Sequence, residues 1–394
     1  MSHYHSLPPK PRFTPTDPDL WEISLRLATY FSEYANICFV AQSILPLVYS
    51  LKIIELRGNT EFMAKFLKLH TQLFVCLSAL ILTGCSSESS KALLTVEHAA
   101  RGAFAAAISH DGRYSLVSSV EHGAVLWDNT THGLKYQWSH SDQPDDLIHS
   151  LAISHDNSTA VTAASDRFAL WQLSNGKNIG YYQIDTGTIR DIAVSNNGRY
   201  VLYGRSDNVV VHLDLDSGRR IEFLGHQEKI NSIALSPNGH FALTGANDYS
   251  AYFWDTRTGQ VLHRFNHPSR VTKVALDPEG RYAFTADSMK KASIWQLTSG
   301  DLVAQLQYIA RQKIFSAVRF NQQGNLLATG SPNRQLTLWR VSDGTKLKTW
   351  RVKPREGSRP KSAVVFDVAF AQRDGILVTE SSSGLMEQFE RVIK

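Results

Sequence analysis

Histidines are the residues of this sequence whose type and spacing first suggest chemistry, since imidazole can bind a metal or transfer a proton. His98, His140, His226 and His267 recur at the same position of repeated segments, each at the end of a predicted outer strand. Such a repeat favours a structural role, because catalysis requires a nucleophile, a base and an orienting group that converge. The sequence has no Gly-Lys-Ser/Thr phosphate loop, no His-Glu-x-x-His pair and no Cys-x-x-Cys site. We therefore expect a non-enzyme without metal or cofactor.

Cysteine chemistry is the second possibility, and it centres on Cys85. Lys65 and Lys68 precede an apolar run at 73–82, which ends in Leu-Thr-Gly-Cys. A positive segment, an apolar segment and small residues, in that order, are typical of a secretory signal. A buried helix or a membrane span is the alternative, but about 20 apolar residues are needed to cross a bilayer.

Residues 63–85 resemble a bacterial lipoprotein signal, on the evidence of this ordered pattern and its final Leu-Thr-Gly-Cys. The resemblance implies cleavage between Gly84 and Cys85 and attachment of a diacylglyceryl lipid to the Cys85 thiol. Residues 63–84 would be the signal peptide and 85–90 a serine-rich tether. Serine after the lipidated cysteine agrees with the family's outer-membrane sorting, so we expect a lipoprotein in the outer membrane that faces the periplasm.

Residues 1–62 are badly placed for a protein whose export signal starts at Met63. We interpret them as upstream sequence with little structure of their own. The alternative is a genuine extension with a helix near residues 20–54.

Composition excludes one class of partner. The sequence has 41 basic and 36 acidic residues, for a net charge of +5, which is far from the charge of a dedicated nucleic-acid binder.

Cys38 and Cys76 precede the predicted cleavage site, so the mature chain would retain only Cys85 and form no disulfide.

The elements that position these side chains repeat from residue 91 onward. A polar turn that ends in Gly, or in Asn at position 157, occurs seven times, and a large side chain follows each copy as a second landmark. The seven turns lie at 108–112, 153–157, 194–198, 235–239, 276–280, 320–324 and 370–375. The landmarks are Trp127, Trp171, His212, Trp254, Trp295, Trp339 and Phe389. Each unit divides into four short β-rich runs separated by Gly, Pro, Asn and Asp, which predicts a four-stranded antiparallel sheet. Seven such sheets bury one another's faces when they are stacked radially.

Residues 91–394 resemble the WD-repeat β-propeller family, most clearly in the fourth unit with Gly225-His226 and Trp254-Asp255. The resemblance implies a structural hydrogen-bond network of His226, Thr244, Asp248 and Trp254. Met289 and Asn333 stand where the turn aspartate is expected, and His212 and Phe389 replace tryptophan. The expected fold is all-β, a seven-bladed propeller of four-stranded antiparallel blades.

The last unit ends after its third strand. Residues 91–98, KALLTVEH, have the pattern of an outer strand with a terminal histidine. We therefore expect this N-terminal strand to complete the seventh blade, which removes an exposed sheet edge.

Two groups of residues are candidates for partner binding, with solvated surface as the alternative for each. The loops that enter the innermost strands carry Arg101, His149, Arg190, Lys229, Arg270 and Lys313. The segment 346–361 carries Lys346, Lys348, Arg351, Lys353, Arg355, Arg359 and Lys361 against the single acid Glu356. The second group is suited to anionic headgroups or an acidic partner. A further insertion, 139–149, contains three aspartates whose spacing does not fit a calcium loop.

The sequence thus predicts a monomeric, membrane-anchored periplasmic propeller that acts as a scaffold for protein partners and binds no nucleic acid. A small-ligand sensor or enzyme that uses the central channel is one alternative. A cytosolic scaffold translated from Met1 is the other.

Overall fold

The computed structural model describes residues 91–140, 147–289, 291–308, 314–359, 361–371 and 375–390. Within these ranges the chain forms 28 strands and one 3-10 turn, Asn196–Gly198. The strands make seven four-stranded antiparallel sheets. The predicted all-β fold, a seven-bladed propeller, is confirmed.

Blades 1 to 6 each use four consecutive strands, ordered from the innermost to the outermost. Blade 1 contains β2 (Ala105–Ile108), β3 (Tyr114–Ser119), β4 (Gly123–Asp128) and β5 (Gly133–Trp138). Blade 2 contains β6 (Ser150–Ile153), β7 (Thr159–Ala163), β8 (Arg167–Gln172) and β9 (Asn178–Gln183). Blade 3 contains β10 (Ile189–Val194), β11 (Tyr200–Arg205), β12 (Val210–Asp214) and β13 (Arg220–Phe223).

The next three blades repeat this order. Blade 4 contains β14 (Ile230–Leu235), β15 (Phe241–Ala246), β16 (Ser250–Asp255) and β17 (Val261–Asn266). Blade 5 contains β18 (Val271–Leu276), β19 (Tyr282–Asp287), β20 (Ala292–Gln296) and β21 (Leu302–Gln305). Blade 6 contains β22 (Ala317–Phe320), β23 (Leu326–Gly330), β24 (Gln335–Arg340) and β25 (Lys346–Arg351).

Blade 7 is built from both ends of the propeller sequence. It contains β26 (Val365–Phe370), β27 (Ile376–Ser381), β28 (Leu385–Glu390) and, as its outermost strand, β1 (Leu94–Glu97). β1 runs antiparallel to β28, with Leu94 opposite Gln388 and Glu97 opposite Leu385. The predicted closure by the N-terminal strand is confirmed.

The hydrophobic core lies between neighbouring blades. One cluster joins Phe284 and Ile294 of blade 5 to Phe320, Leu327 and Trp339 of blade 6, all fully buried or nearly so. Each sheet therefore buries apolar faces against its neighbours, which one four-stranded sheet could not do alone.

Small residues surround the central channel. The last but one residue of the innermost strand is alanine in six blades and Arg319 in blade 6. The six alanines are Ala107, Ala152, Ala193, Ala234, Ala275 and Ala369. The Arg319 guanidinium donates to Asp367 Oδ2 of blade 7 at 2.6 Å and to the Ile108 carbonyl of blade 1 at 3.0 Å. One side chain thus connects three blades at the point where the ring closes.

In blade 3 the sequence analysis assigned the wrong residue, His212, to the position that tryptophan holds in blade 4. The bulky landmark occupies the last but one position of the third strand, where Trp254 lies opposite Ala242. In blade 3 that position belongs to Leu213, opposite Val201. The assignment of His212 was therefore wrong by one residue. The His212 side chain lies on the opposite face of the blade 3 sheet, where its Nε2 is 3.0 Å from the Gly239 carbonyl oxygen.

Candidate functional site

The predicted network of blade 4 brings three of its four members together. His226 Nδ1 lies 2.8 Å from Asp248 Oδ2, and His226 Nε2 lies 2.9 Å from Thr244 Oγ1. The buried indole N–H of Trp254 finds no acceptor among the described residues, and the ring stacks on Phe223 at 4.6 Å. Burial favours the neutral acid, but hydrogen bonds from His226 and two backbone amides outweigh it and lower the pKa of Asp248.

The complete network occurs in blade 5. Trp295 Nε1 donates to Thr285 Oγ1 at 2.8 Å, and Thr285 Oγ1 lies 2.8 Å from His267 Nε2. His267 Nδ1 in turn lies 3.4 Å from Asp287 Oδ2. Met289 occupies the position where the repeat pattern expects this aspartate. The carboxylate comes instead from Asp287, two residues earlier, which the pattern does not predict. Burial lowers the pKa of His267.

His98 makes a different contact because blade 1 has Val117 where blades 4 and 5 have the network threonine. Valine cannot hydrogen-bond, and His98 Nδ1 instead lies 2.7 Å from Glu380 Oε1 of blade 7. The imidazole stacks on Trp127 at 4.5 Å. Glu387, also buried and on the neighbouring strand, has its pKa raised to about 7 by burial and by the Glu380 charge. Blade 7 therefore contains a buried acidic cluster.

The candidate binding surface is the end of the blades where loops enter the innermost strands, which we call the entry face. Lys229 and Arg270 directly precede β14 and β18, and both are exposed. Arg190 lies inside β10 at a register shift and is also exposed. His149, half-buried before β6, has its pKa lowered by burial and by the nearby Arg190 charge. Arg101 is exposed and pairs with Glu121 at 2.8 Å, so its charge is compensated.

Exposed apolar side chains on the entry face were missed by the sequence analysis. They lie in the loops before innermost strands or in the turns between second and third strands. They are Phe104, Val120, Leu147, Tyr249 and Met289. Exposed aromatic, Met and Arg residues together are typical of protein interfaces.

Tyr249 is notable for its backbone as well as for its exposure. Its φ is 65°, a left-handed conformation that glycine adopts readily and a bulky residue rarely does. Asn208, Arg334 and Gly384 have a positive φ at the same turn position of blades 3, 6 and 7, so the conformation belongs to the repeat. What distinguishes Tyr249 is a large aromatic side chain that is 54% exposed. An exposed aromatic residue at the tip of a turn is well placed to contact a protein partner.

The central channel encloses a cavity of about 270 Å³. Charged side chains line it, including Asp191, Lys273, Arg319 and Asp367. Burial raises the pKa of Asp191, whose carboxylate accepts from the Ile233 amide at 2.9 Å. At the opposite end from the entry face, the rings of His110 and His155 lie 4.0 Å apart. Among the described residues, no three His, Cys, Asp or Glu side chains form a metal-binding group.

The basic residues of 346–361 follow one path on the surface. Lys346, Lys348 and Arg351 lie on β25, the outermost strand of blade 6. Lys353 and Arg355 lie in the extended segment that leads on to blade 7, and both are exposed.

Several predicted residues lie outside the described ranges. They are all of residues 1–90, including Gly84 and Cys85, the three aspartates of the 139–149 insertion, and Lys313. In the part of the chain that the structure describes, no helix is long and apolar enough to span a bilayer.

The fold therefore defines a seven-bladed β-propeller. Residues 218–255 match the family model of the WD domain, G-beta repeat. This segment extends from the turn before β13 to the end of β16, so it includes Thr244, Asp248 and Trp254. No curated protein matches the sequence significantly. Propellers with WD40 repeats typically serve as scaffolds for protein interaction.

Proposed function

We propose that this protein is a non-enzymatic scaffold that a lipid on Cys85 anchors in the cell envelope. Its propeller would present the entry face to a protein partner in the periplasm. The observation that carries the scaffold function is the combination of uncompensated cations and exposed apolar side chains on that face. Arg190, Lys229 and Arg270 form no ion pair with any described residue, whereas Tyr249 and Met289 lie among them on blades 4 and 5.

The proposed anchor rests on the order of charged, apolar and small residues before Cys85 and on the serine-rich residues after it. More than one acyl chain on a single terminus gives stable membrane attachment. Mass spectrometry of the mature N-terminus, from the full chain expressed in a bacterium with an outer membrane, tests this. We expect a first peptide that begins at lipidated Cys85. A peptide from upstream of Cys85, or an unmodified thiol, would contradict the anchor.

The proposed binding face is tested by Tyr249→Gly. Because φ at this position suits glycine, the thermal unfolding temperature should stay unchanged or rise. Loss of an exposed aromatic anchor should weaken partner capture about tenfold in crosslinking and affinity purification. Leu302→Ala, at an exposed position of the outer strand β21, is the control and should capture the partner normally. Equal capture by both variants would argue against the entry face.

A further inference from the structure

The cations of 346–361 are set apart by their density, because seven of them lie within sixteen residues that contain a single acid, Glu356. We call Lys346, Lys348, Arg351, Lys353, Arg355, Arg359 and Lys361 the basic strip. All are exposed except the half-buried Lys348. None forms an ion pair with a described residue, whereas Arg199, Arg257 and Arg340 each pair with a nearby aspartate. Glu356 lies within the segment and the Lys353 charge lies near buried Glu387, but neither acid forms an ion pair with the strip, which therefore carries a net positive charge.

The backbone of the strip is fixed along the seam between blades 6 and 7. The Lys353 amide donates to Glu387 Oε2 at 2.9 Å, and Ser383 Oγ donates to the Lys353 carbonyl at 3.0 Å. Lys348 Nζ donates to the Glu390 carbonyl at 3.4 Å, and Arg355 donates to the Arg101 carbonyl. Anchoring of this kind holds the exposed charges in a defined place, which a loose loop would not do.

The strip also adjoins the point where the chain enters the propeller. Ala92 packs against the apolar cluster that contains Trp350 and Val352, and the Leu93 amide donates to the Gln388 carbonyl at 2.7 Å. Cys85 precedes Ala92 by seven residues, which span at most about 25 Å when extended. A lipid on Cys85 would therefore hold the strip close to the bilayer surface.

We propose that the basic strip binds the anionic headgroups of the membrane in which the lipid is anchored. This inference rests on the proposed lipid anchor for its biological setting, but the charge pattern that supports it is independent of the lipid. Basic residues near an anionic bilayer attract it only within about a Debye length, roughly 8 Å at physiological salt. A tether of this length allows the strip to enter that field, and attraction between the strip and the headgroups would then hold it there. In this orientation the seam of blades 6 and 7 faces the bilayer, and blade 3, with Arg190, lies on the far side of the ring.

Vesicle sedimentation of the full chain carrying Cys85→Ser tests the strip without lipidation. Vesicles of phosphatidylglycerol and phosphatidylethanolamine are compared with neutral phosphatidylcholine vesicles. Any apolar contribution of residues 63–84 is present in every variant, so the readout is the difference between variants and vesicle types. Arg351→Glu with Arg359→Glu is compared with Lys177→Glu and Arg219→Glu, which make the same charge change on blades 2 and 3.

We expect the parent to partition to anionic vesicles at least about tenfold better than to neutral ones. The strip variant should lose that preference, and the control variant should keep it. About 1 M salt, at which the Debye length is about 3 Å, should abolish the preference. Unchanged thermal unfolding of both variants would show that the exposed substitutions leave the fold intact.

Equal partitioning to both vesicle types, or equal losses in the strip and control variants, would overturn the inference. Binding of the strip to an acidic protein, with no preference for anionic vesicles, would also overturn it. Because Cys85→Ser carries no lipid, these results are separate from the mass spectrometry that tests the anchor. Failure of one proposal is therefore distinguishable from failure of the other.

Discussion

At the scale of single residues, the inter-blade network shows how one threonine serves two partners. Thr285 Oγ1 accepts from Trp295 and donates to His267, whereas Thr244 lacks the tryptophan contact. The two blades therefore offer a natural comparison of the same position with and without one buried hydrogen bond.

Thr285→Val should consequently cost more stability than Thr244→Val. Valine keeps the volume but removes the hydroxyl, which leaves both Trp295 Nε1 and His267 Nε2 unpaired. We expect a loss of about 2 to 3 kcal/mol for Thr285→Val and about 1 kcal/mol less for Thr244→Val. Urea unfolding of both variants measures this difference. Equal losses would mean that the Trp295 hydrogen bond contributes nothing.

Glu387 should make the stability of the propeller depend on pH. Its pKa of about 7 exceeds the ordinary value of 4.5 because the 2% exposed carboxyl is buried, even though the Lys353 amide and charge favour ionisation. Between about pH 4.5 and pH 7, the Glu387 carboxyl therefore stays protonated in the folded state and is ionised in the unfolded state. This contribution is complete below pH 4.5 and is lost as the pH rises through 7, for a total of about 3 kcal/mol.

Glu387→Gln removes this ionisation and retains a carbonyl oxygen to accept from Lys353. The advantage of the variant in free energy of unfolding should therefore grow as the pH rises from about 4.5 to about 8. Chemical denaturation at a series of pH values gives the measurement. Parallel stability profiles for the variant and the parent would contradict the assignment.

Residue-level prediction from the sequence was limited where contacts cross between blades. The repeat pattern identified the position of His226 because it recurs, but the loss of threonine at Val117 redirects His98 to Glu380, which is 282 residues away. The His212 assignment was wrong because histidine suits either face of a strand, and only the pairing of Leu213 with Val201 fixes the register.

At the scale of elements, β1 is the strand on which the seventh blade depends. Leu94 and Val96 pack against the cluster of Ile108, Val378 and Met386, whereas Leu93 is 58% exposed. The sequence predicted this strand correctly because its pattern matches the outer strands of other repeats. It could not reveal the apolar entry face, since single exposed apolar residues in turns leave no periodic signal.

Leu94→Asp combined with Val96→Asp should detach β1 from blade 7. Each substitution buries a charge or exposes apolar surface, and together they should cost about 3 to 4 kcal/mol. The free edge of β28 should then be cleaved faster by protease and should promote aggregation. Leu93→Asp is the matched control and should behave like the parent. Similar proteolysis rates for all three proteins would count against closure by β1.

At the scale of the whole molecule, the ring is also closed from inside the channel by Arg319. The Arg319 and Asp367 side chains are 21% and 16% exposed, so solvent screens their interaction only in part. Regular repeats predicted seven blades, but this closure departs from the repeat, because six blades have alanine where blade 6 has arginine.

Arg319→Ala should lower the free energy of unfolding by about 2 kcal/mol, since it leaves Asp367 partly buried without its cation. Adding Asp367→Ser should restore part of the loss, because Ser150 and Ser232 occupy the same strand position in blades 2 and 4. Arg340→Ala, which removes an exposed pair with Asp343, should change stability by less than about 0.5 kcal/mol. Thermal and urea unfolding compare the three variants. No difference between Arg319→Ala and Arg340→Ala would contradict an inner closure.

The pairing of β1 with β28 also sets an order of events during synthesis. Leu94 emerges from the ribosome nearly 300 residues before Gln388, its partner in the sheet. Blade 7 is therefore complete only when the whole chain is available, and the earliest strand waits unpaired until the last one arrives. Contacts of such long sequence separation form late and slowly. The final step of folding should thus be the return of the N-terminal strand, so a nascent chain stalled before residue 385 would hold six blades and an open ring.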